Sequence, residues 1–169
     1  MRITEWYREL QHELHKNPRY GAASMKFAPM VQKLIAAHWP ETLLDYGAGK
    51  RLLRTAIKGV TITEYDPCVP EIAAPPQGRF DMVCCLDVLE HIEPECLEDV
   101  LTDLGNLTRK LALMTIHTGP AGKFLSDGRN AHLIQQPIAW WAGRLEPHFR
   151  RLDVRKVSET TYAVIGWAA

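Results

Sequence analysis

Apolar positions along the chain follow two rhythms, and their order predicts the elements. From Ile3 to Lys16, Trp6, Tyr7, Leu10 and Leu14 recur at three- and four-residue steps among charges, which predicts an amphipathic helix stopped by Asn17-Pro18. Met25 to Trp39 repeats the pattern with Phe27, Met30, Val31, Leu34 and Ile35, and Pro29 places the start of its regular part near itself. Thr42 to Tyr46 reads as a first strand, Leu52 to Ile57 as a short helix and Val60 to Tyr65 as a second strand. Met82 to Leu86 is apolar without alternation, the signature of a strand covered on both faces in a parallel sheet. Glu93 to Lys110 predicts a helix with Leu97, Val100, Leu101, Leu104 and Leu107 on one side and acids in its first turns. Leu111 to Ile116 predicts another strand, and Arg151 to Val157 with Thr160 to Trp167 an antiparallel pair around a Ser-Glu turn.

The segment between Asp66 and Phe80 breaks this alternation. It spans only 14 positions and holds Pro67, Pro70, Pro75 and Pro76, too little room for a helix, a strand and their loops. The expectation is a truncated sheet edge, bridged by an extended or single-turn connection.

The chemistry concentrates where the first strand ends. In Leu43 to Lys50, LLDYGAGK, an apolar run reaches Asp45, and Gly47 and Gly49 follow with Ala48 between them; Asp66 stands 17 positions after Gly49, at the tip of the second strand. Glycines let the backbone approach a ligand, a helix N-terminus offers free N–H groups, and the distal carboxylate can accept from both hydroxyls of a ribose. The unit therefore suits a nucleoside-containing cofactor. A dinucleotide fingerprint would require glycine at Leu52 and usually an apolar residue at Asp45, so a nicotinamide-dependent dehydrogenase is disfavoured.

At these residues the chain resembles class I S-adenosylmethionine-dependent methyltransferases, whose first motif is an apolar pair, an acid and GxGxG; Asp45, Gly47 and Gly49 match, and Arg51 replaces the third glycine. A second match is Arg79 to Pro94, RFDMVCCLDVLEHIEP, which is similar to the family's fourth strand and following loop in Phe80, Asp81, Val83, Asp87, Val88, Leu89, Glu90 and His91. The resemblance implies a Rossmann-like α/β fold, a mostly parallel sheet with a C-terminal antiparallel hairpin, and two N-terminal helices that cover the cofactor. It implies S-adenosyl-L-methionine as cofactor and S-adenosyl-L-homocysteine as product, held by Asp45, Gly47, Ala48, Gly49, Asp66, Leu86 and Asp87. Asp66 takes the ribose role and Asp87 stands at the methyl donor. Glu90 and His91 also fit a pair that braces the loop. The acid that commonly meets the adenine amino group is not identifiable here.

His117 to Leu145 is too polar and glycine-rich at first for a core, and too long for a tight turn. It is similar to a methyltransferase subgroup found in phage and surface-polysaccharide contexts, with a DGRNAH segment, Asp127 to His132, followed by Pro137 and the Trp140-Trp141 pair. Methyl transfer requires an acceptor aligned with the methyl group and, for a hydroxyl or protonated amine, a group to take its proton. His132 and His117 are the candidate bases, with bonding inside the loop as the alternative for each. Arg129 could hold an anionic acceptor or brace Asp127. Asn130, Trp140 and Tyr20 complete the candidate acceptor-side residues.

Composition narrows the partners. The 169 residues and a hydrophobic fraction of 46% suit one domain, read as an N-terminal helical cap over 1–40 and a cofactor-binding sheet over 41–169. Twenty basic residues offset twenty acidic ones, so a small-molecule, nucleotide or sugar acceptor is favoured over nucleic acid, and no anionic membrane is implied. Cys68, Cys84, Cys85 and Cys96 form no CxxC, which argues against zinc and for buried reduced thiols in the cytoplasm; no metal is expected. No signal-peptide core or bilayer-length apolar run occurs, and the chain is expected to be a monomer or homodimer. Two alternatives stay open: a protein that binds the cofactor without transfer, and an enzyme that cleaves the cofactor itself.

Overall fold

The computed structural model describes residues 1–17, 20–22 and 24–168. Helices α1 (Glu5–His15) and α2 (Ser24–His38) lead into strand β1 (Thr42–Tyr46), the short helix α3 (Leu53–Ala56) and strand β2 (Thr61–Tyr65). Strand β3 (Phe80–Leu86), helix α4 (Leu97–Leu107), strand β4 (Thr108–His117), helix α5 (Ile138–Leu145) and strands β5 (Arg151–Lys156) and β6 (Thr161–Trp167) complete the chain.

The six strands form one sheet in the order β2-β1-β3-β4-β6-β5, parallel through β4 and antiparallel across the last three. This is the expected Rossmann-like arrangement with its terminal hairpin. Beyond β2 the edge ends as the proline count requires: a single 3₁₀ turn at Pro70–Ile72 stands where a further crossover and strand would be.

Alternation sorts the side chains to two faces. Leu44, Val83, Cys85, Ala112, Met114 and Val164 pack beneath α4 and α5, whereas Leu43, Met82, Cys84, Leu111, Leu113 and Ile165 pack beneath α2 and α3. Every residue of β3 is buried, as its unbroken apolar run predicts. Asp81 of the FD pair sits at the end of the sheet away from the glycine turn, accepting from the Glu41 N–H (2.8 Å) and pairing with Arg109 (3.3 Å).

Several boundaries differ from expectation. Helix α2 starts at Ser24 and runs through Pro29. The helix expected to reach Lys110 ends at Leu107: Thr108 takes an extended backbone (φ −86°, ψ 125°), its hydroxyl donates to the Leu104 carbonyl (2.7 Å), and the chain turns into a ten-residue strand. Pro18, expected to stop the first helix, lies outside the described residues; α1 ends at His15.

Candidate functional site

The chain leaves β1 for β2 on one side, and β3 pairs on the other, so a crevice opens at the carboxyl ends of β1 and β3 where the strand order reverses. Over it lies a cavity of about 370 Å³, lined by the two glycines, by Asp66, Leu86, Asp87 and Val88 after the strands, and by Tyr7, Gln11 and His15 of α1.

The glycine turn is built by close backbone approaches. Gly47 and Ala48 donate to the Tyr65 carbonyl (2.7 and 3.0 Å), tying the turn to β2. Gly47 has φ +80°, and a Cβ there would lie 2.5 Å from Val88 Cγ2, so the two strand ends meet without room for a side chain. Gly49 donates to Asp66 Oδ2 (2.9 Å), and Oδ1 of the same carboxylate accepts from Cys68 (2.9 Å). Asp66 is buried and lines the cavity. Each of its oxygens keeps a lone pair for a second donor, as a ribose diol would supply.

Arg51, at the family's third glycine, takes a left-handed conformation (φ +59°). Its guanidinium turns to Glu64 on β2, with Nε and Nη2 at 2.9 and 2.7 Å, so the side chain leaves the turn without entering the cavity. The departure from the motif is thus accommodated at the cost of backbone strain.

Behind the turn, Asp45 and Ala48 are buried and do not line the cavity. Asp45 stands on β1 and Ala48 in the turn itself, where its N–H is held by the Tyr65 carbonyl, so the two expected cofactor contacts lie behind the cavity wall. Burial, and then the nearby Glu64 and Asp66, push the Asp45 carboxyl up to about 7, and its Oδ2 has no hydrogen-bond partner.

The other wall follows β3. Asp87 has φ +61°, a strained position for a residue with a side chain, and its N–H is held by the Thr115 carbonyl and hydroxyl (3.1 and 3.0 Å). Glu90, fully buried below it, accepts from the His117 N–H through Oε1 (2.6 Å), while Oε2 has no partner. Burial and then Asp87 push its carboxyl well above the usual range.

Four imidazoles and two phenols crowd the rim: His15, His91, His117 and His132 with Tyr7 and Tyr20. His91 donates Nδ1–H to the Ala131 carbonyl (2.7 Å), and His132 donates Nδ1–H to the Gly119 carbonyl (2.7 Å). Nε2 of each ring has no partner among the described residues, and the rings meet edge to face with centroids 4.7 Å apart. Burial lowers both, His91 to about 4, so both are neutral at pH 7. His117 lines the cavity but both its nitrogens are engaged, Nδ1 at Gly119 in the loop and Nε2 on the Thr160 hydroxyl of the β5–β6 turn (2.9 Å). Tyr20 lines the cavity as expected; its hydroxyl donates to Gln11 Oε1 (2.8 Å), Gln11 donates to the Tyr7 hydroxyl (2.6 Å), and Tyr7 donates to the His91 carbonyl. Thr4 caps α1, and its N–H and hydroxyl donate to Glu93 (2.8 and 2.6 Å), fixing the helix over the site.

Three acceptor-side candidates lie off the cavity, and for Arg129 it is the second of its two expected roles, bracing Asp127, that is found. Asn130 does not line the cavity; Oδ1 accepts from Ala121 and His132 (both 2.9 Å) and Nδ2 donates to Ala121, so it shapes the loop that carries His132. Arg129 braces Asp127 (Nε 2.8 Å, Nη2 2.7 Å) and lies off the cavity. Trp140 packs against the core beneath α5 with Arg144 over its ring, and Trp141 is fully buried, so neither reaches the site. Tyr7, Gln11, His15, His91 and Glu93 are cavity residues that sequence reasoning did not assign. The three- and four-residue spacing of Tyr7, Gln11 and His15 along α1 was the available signal, masked because the same spacing also describes a core face.

A glycine turn joined to a buried carboxylate at the switch point of such a sheet is the arrangement with which α/β proteins hold a nucleoside. The methyltransferase domain family matches residues 5–164, and the chain belongs to that family. A search of curated proteins finds no match to the chain. Among solved structures it resembles Burkholderia thailandensis 1,6-didemethyltoxoflavin-N1-methyltransferase, crystallised with 1,6-didemethyltoxoflavin and S-adenosylhomocysteine, at 16% identity and TM-score 0.67, covering 100% of this chain and 92% of that one. It also resembles an O-methyltransferase family protein from the same organism (14%, TM-score 0.67, 86% of this chain and 56% of that one). Human N-acetylserotonin methyltransferase, solved with S-adenosylmethionine, is a third (15%, TM-score 0.62, 85% and 52%). The chain therefore spans little more than half the length of the last two.

Proposed function

We propose that the protein transfers the methyl group of S-adenosylmethionine to a small-molecule acceptor. The observation that carries this reading is the Gly49 to Asp66 hydrogen bond (2.9 Å) at the wall of a cavity closed on one side by α1. The residues present fit the cofactor: a Cβ at Gly47 would collide with Val88, and Asp66 offers two buried acceptor oxygens beside the turn. Gly47, Gly49 and Asp66 would hold the nucleoside, with Leu86 and Asp87 beside the sulfonium, where the Asp87 carboxylate favours a cation. When bound, the cofactor supplies an already activated methyl group.

The chain's own contribution is alignment and removal of a proton. The neutral Nε2 atoms of His132 and His91 suit proton acceptance, and His132 is favoured over His117, whose nitrogens are engaged. Tyr20, Tyr7 and Gln11 exclude water from above. Within the DGRNAH segment, Arg129 and Asn130 act on the loop, which supports the likeness to the phage and polysaccharide subgroup only as a scaffold. Four free, buried cysteines fit a reducing cytoplasm, and no helix among the described residues is long and apolar enough to cross a membrane. We take residues 1–169 to act as one catalytic unit, as a monomer or homodimer.

The test is calorimetry with S-adenosylhomocysteine, followed by mass spectrometry of a metabolite extract incubated with protein and S-adenosylmethionine. Binding with a mass gain of one methyl group on an acceptor supports the reading. Binding with no methylated product favours a non-catalytic binder, and cofactor breakdown without an acceptor favours a cleaving enzyme. Absence of binding rejects all three.

A further inference from the structure

The floor of the cavity holds a group that methyl transfer does not require. One carboxylate oxygen of Asp87, one of Glu90 and one ring nitrogen of His132 all lie within 4.8 Å of one another. Glu90 is fully buried, and its Oε2 meets no donor: the group facing it is the Asp87 carboxyl, an expensive arrangement of two acids unless a proton or a cation lies between them. The imidazole is already oriented as a ligand would be. His132 gives Nδ1–H to the Gly119 carbonyl (2.7 Å), which fixes the tautomer and leaves the Nε2 lone pair free. Asn130 in turn fixes the His132 backbone (2.9 Å), and the His117 N–H holds the other Glu90 oxygen (2.6 Å). Ligating groups are thus held by outer partners on the end of β4 and in the loop that follows it.

We propose that Asp87, Glu90 and His132 form a divalent-cation site, contrary to the expectation from the cysteine pattern that the chain holds no metal. Two carboxylates and an imidazole suit a cation that accepts both oxygen and nitrogen, of which Mn²⁺ is the natural probe. Two carboxylates also balance the charge of a divalent ion in a buried place. Asp87 and His132 line the cavity and Glu90 lies behind them, so the remaining coordination positions face the space open to an acceptor. Resting on the methyl-transfer reading, the site names an acceptor class: molecules that present a hydroxyl or carboxylate oxygen to the cation. His132 then positions the acceptor through the ion, and His91, whose Nε2 is also without a partner, is the imidazole left to take the proton.

The competing account is an acid pair that shares a proton between Glu90 and Asp87 with no ion. The two are separated by titrating the purified chain with Mn²⁺ alone, following the free-ion electron paramagnetic resonance signal, alongside calorimetry with S-adenosylhomocysteine. The expected result is one Mn²⁺ per chain, with affinity reduced about tenfold or more in Glu90→Gln and in His132→Ala and unchanged in His12→Ala, which removes an exposed histidine. Glu90→Gln keeps the side-chain shape, and circular dichroism checks its fold; His132→Ala gives the same answer should that variant not fold. No Mn²⁺ binding by the wild-type chain, or binding that survives both variants, overturns the site. A chain that binds S-adenosylhomocysteine but no Mn²⁺ loses this inference and keeps the methyltransferase reading, whereas one that binds Mn²⁺ alone does the reverse.

Discussion

The N–H of Gly49 donates to Asp66 Oδ2 at 2.9 Å, joining the turn after the first strand to the tip of the second. One carboxylate therefore sets the shape of the glycine bend and presents its remaining lone pairs to the cavity. Asp66→Ala removes both, and affinity for S-adenosylhomocysteine should fall about tenfold to a hundredfold, from the ~1.5–3 kcal/mol of hydrogen bonds to a charged group. Calorimetry measures this, and unchanged affinity would remove Asp66 from the cofactor site.

Gly47 should tolerate no side chain. In Gly47→Ala the new methyl would meet Val88 at 2.5 Å and the backbone would stay at φ +80°, so denaturant unfolding should show a loss of about 1–3 kcal/mol. Adding Val88→Ala should recover the steric part and leave the backbone part, giving a partial rescue.

His132 reaches the cavity on a loop that does not touch Gly47, Gly49 or Asp66 by any hydrogen bond described here. His132→Ala should lower kcat by about a hundredfold or more while cofactor affinity is retained, whether the ring accepts the proton or holds the acceptor through an ion. Steady-state kinetics with S-adenosylhomocysteine calorimetry separates the two effects, and an unaltered kcat would place the chemistry elsewhere.

Asp45 gives a pH signature to stability. Its carboxyl ordinarily titrates near 3.8 and is pushed up to about 7 in the folded chain, chiefly by burial. Between those values the folded state holds a proton that the unfolded state has lost, so this residue makes stability fall as pH rises from about 4 to about 7, with no further change above. Asp45→Asn, which cannot ionise, should unfold with a flatter dependence across that window and be more stable than wild type at pH 8. Melting temperatures measured from pH 4 to 8 test the sign; a steeper slope in the variant would contradict it.

Leu43 and Leu44, or Cys84 and Cys85, show why the sheet was legible: a strand buried on both faces needs apolar residues at every position, and neighbours go to opposite layers whatever the loops do. The truncated edge was legible too, since four prolines remove four N–H groups from a stretch that already lacks the length for another strand. The acceptor side was not. Arg129 and Asn130 carry the right chemistry for a substrate but spend it on Asp127 and Ala121, and Trp140 and Trp141 pack with the core beneath α5.

The chain's own order of residues determined the sheet, the glycine turn and the carboxylate opposite it, because backbone sterics and hydrophobic periodicity act between near neighbours and leave a regular trace. Only the tertiary structure decided which polar side chains face the cavity. Tyr7, Asp87, His91 and His132 come from a helix and two loops far apart in sequence, and their hydrogen-bond partners exist only once the chain is folded. The role of each imidazole is set by which nitrogen a distant carbonyl has already claimed, a fact with no local signature.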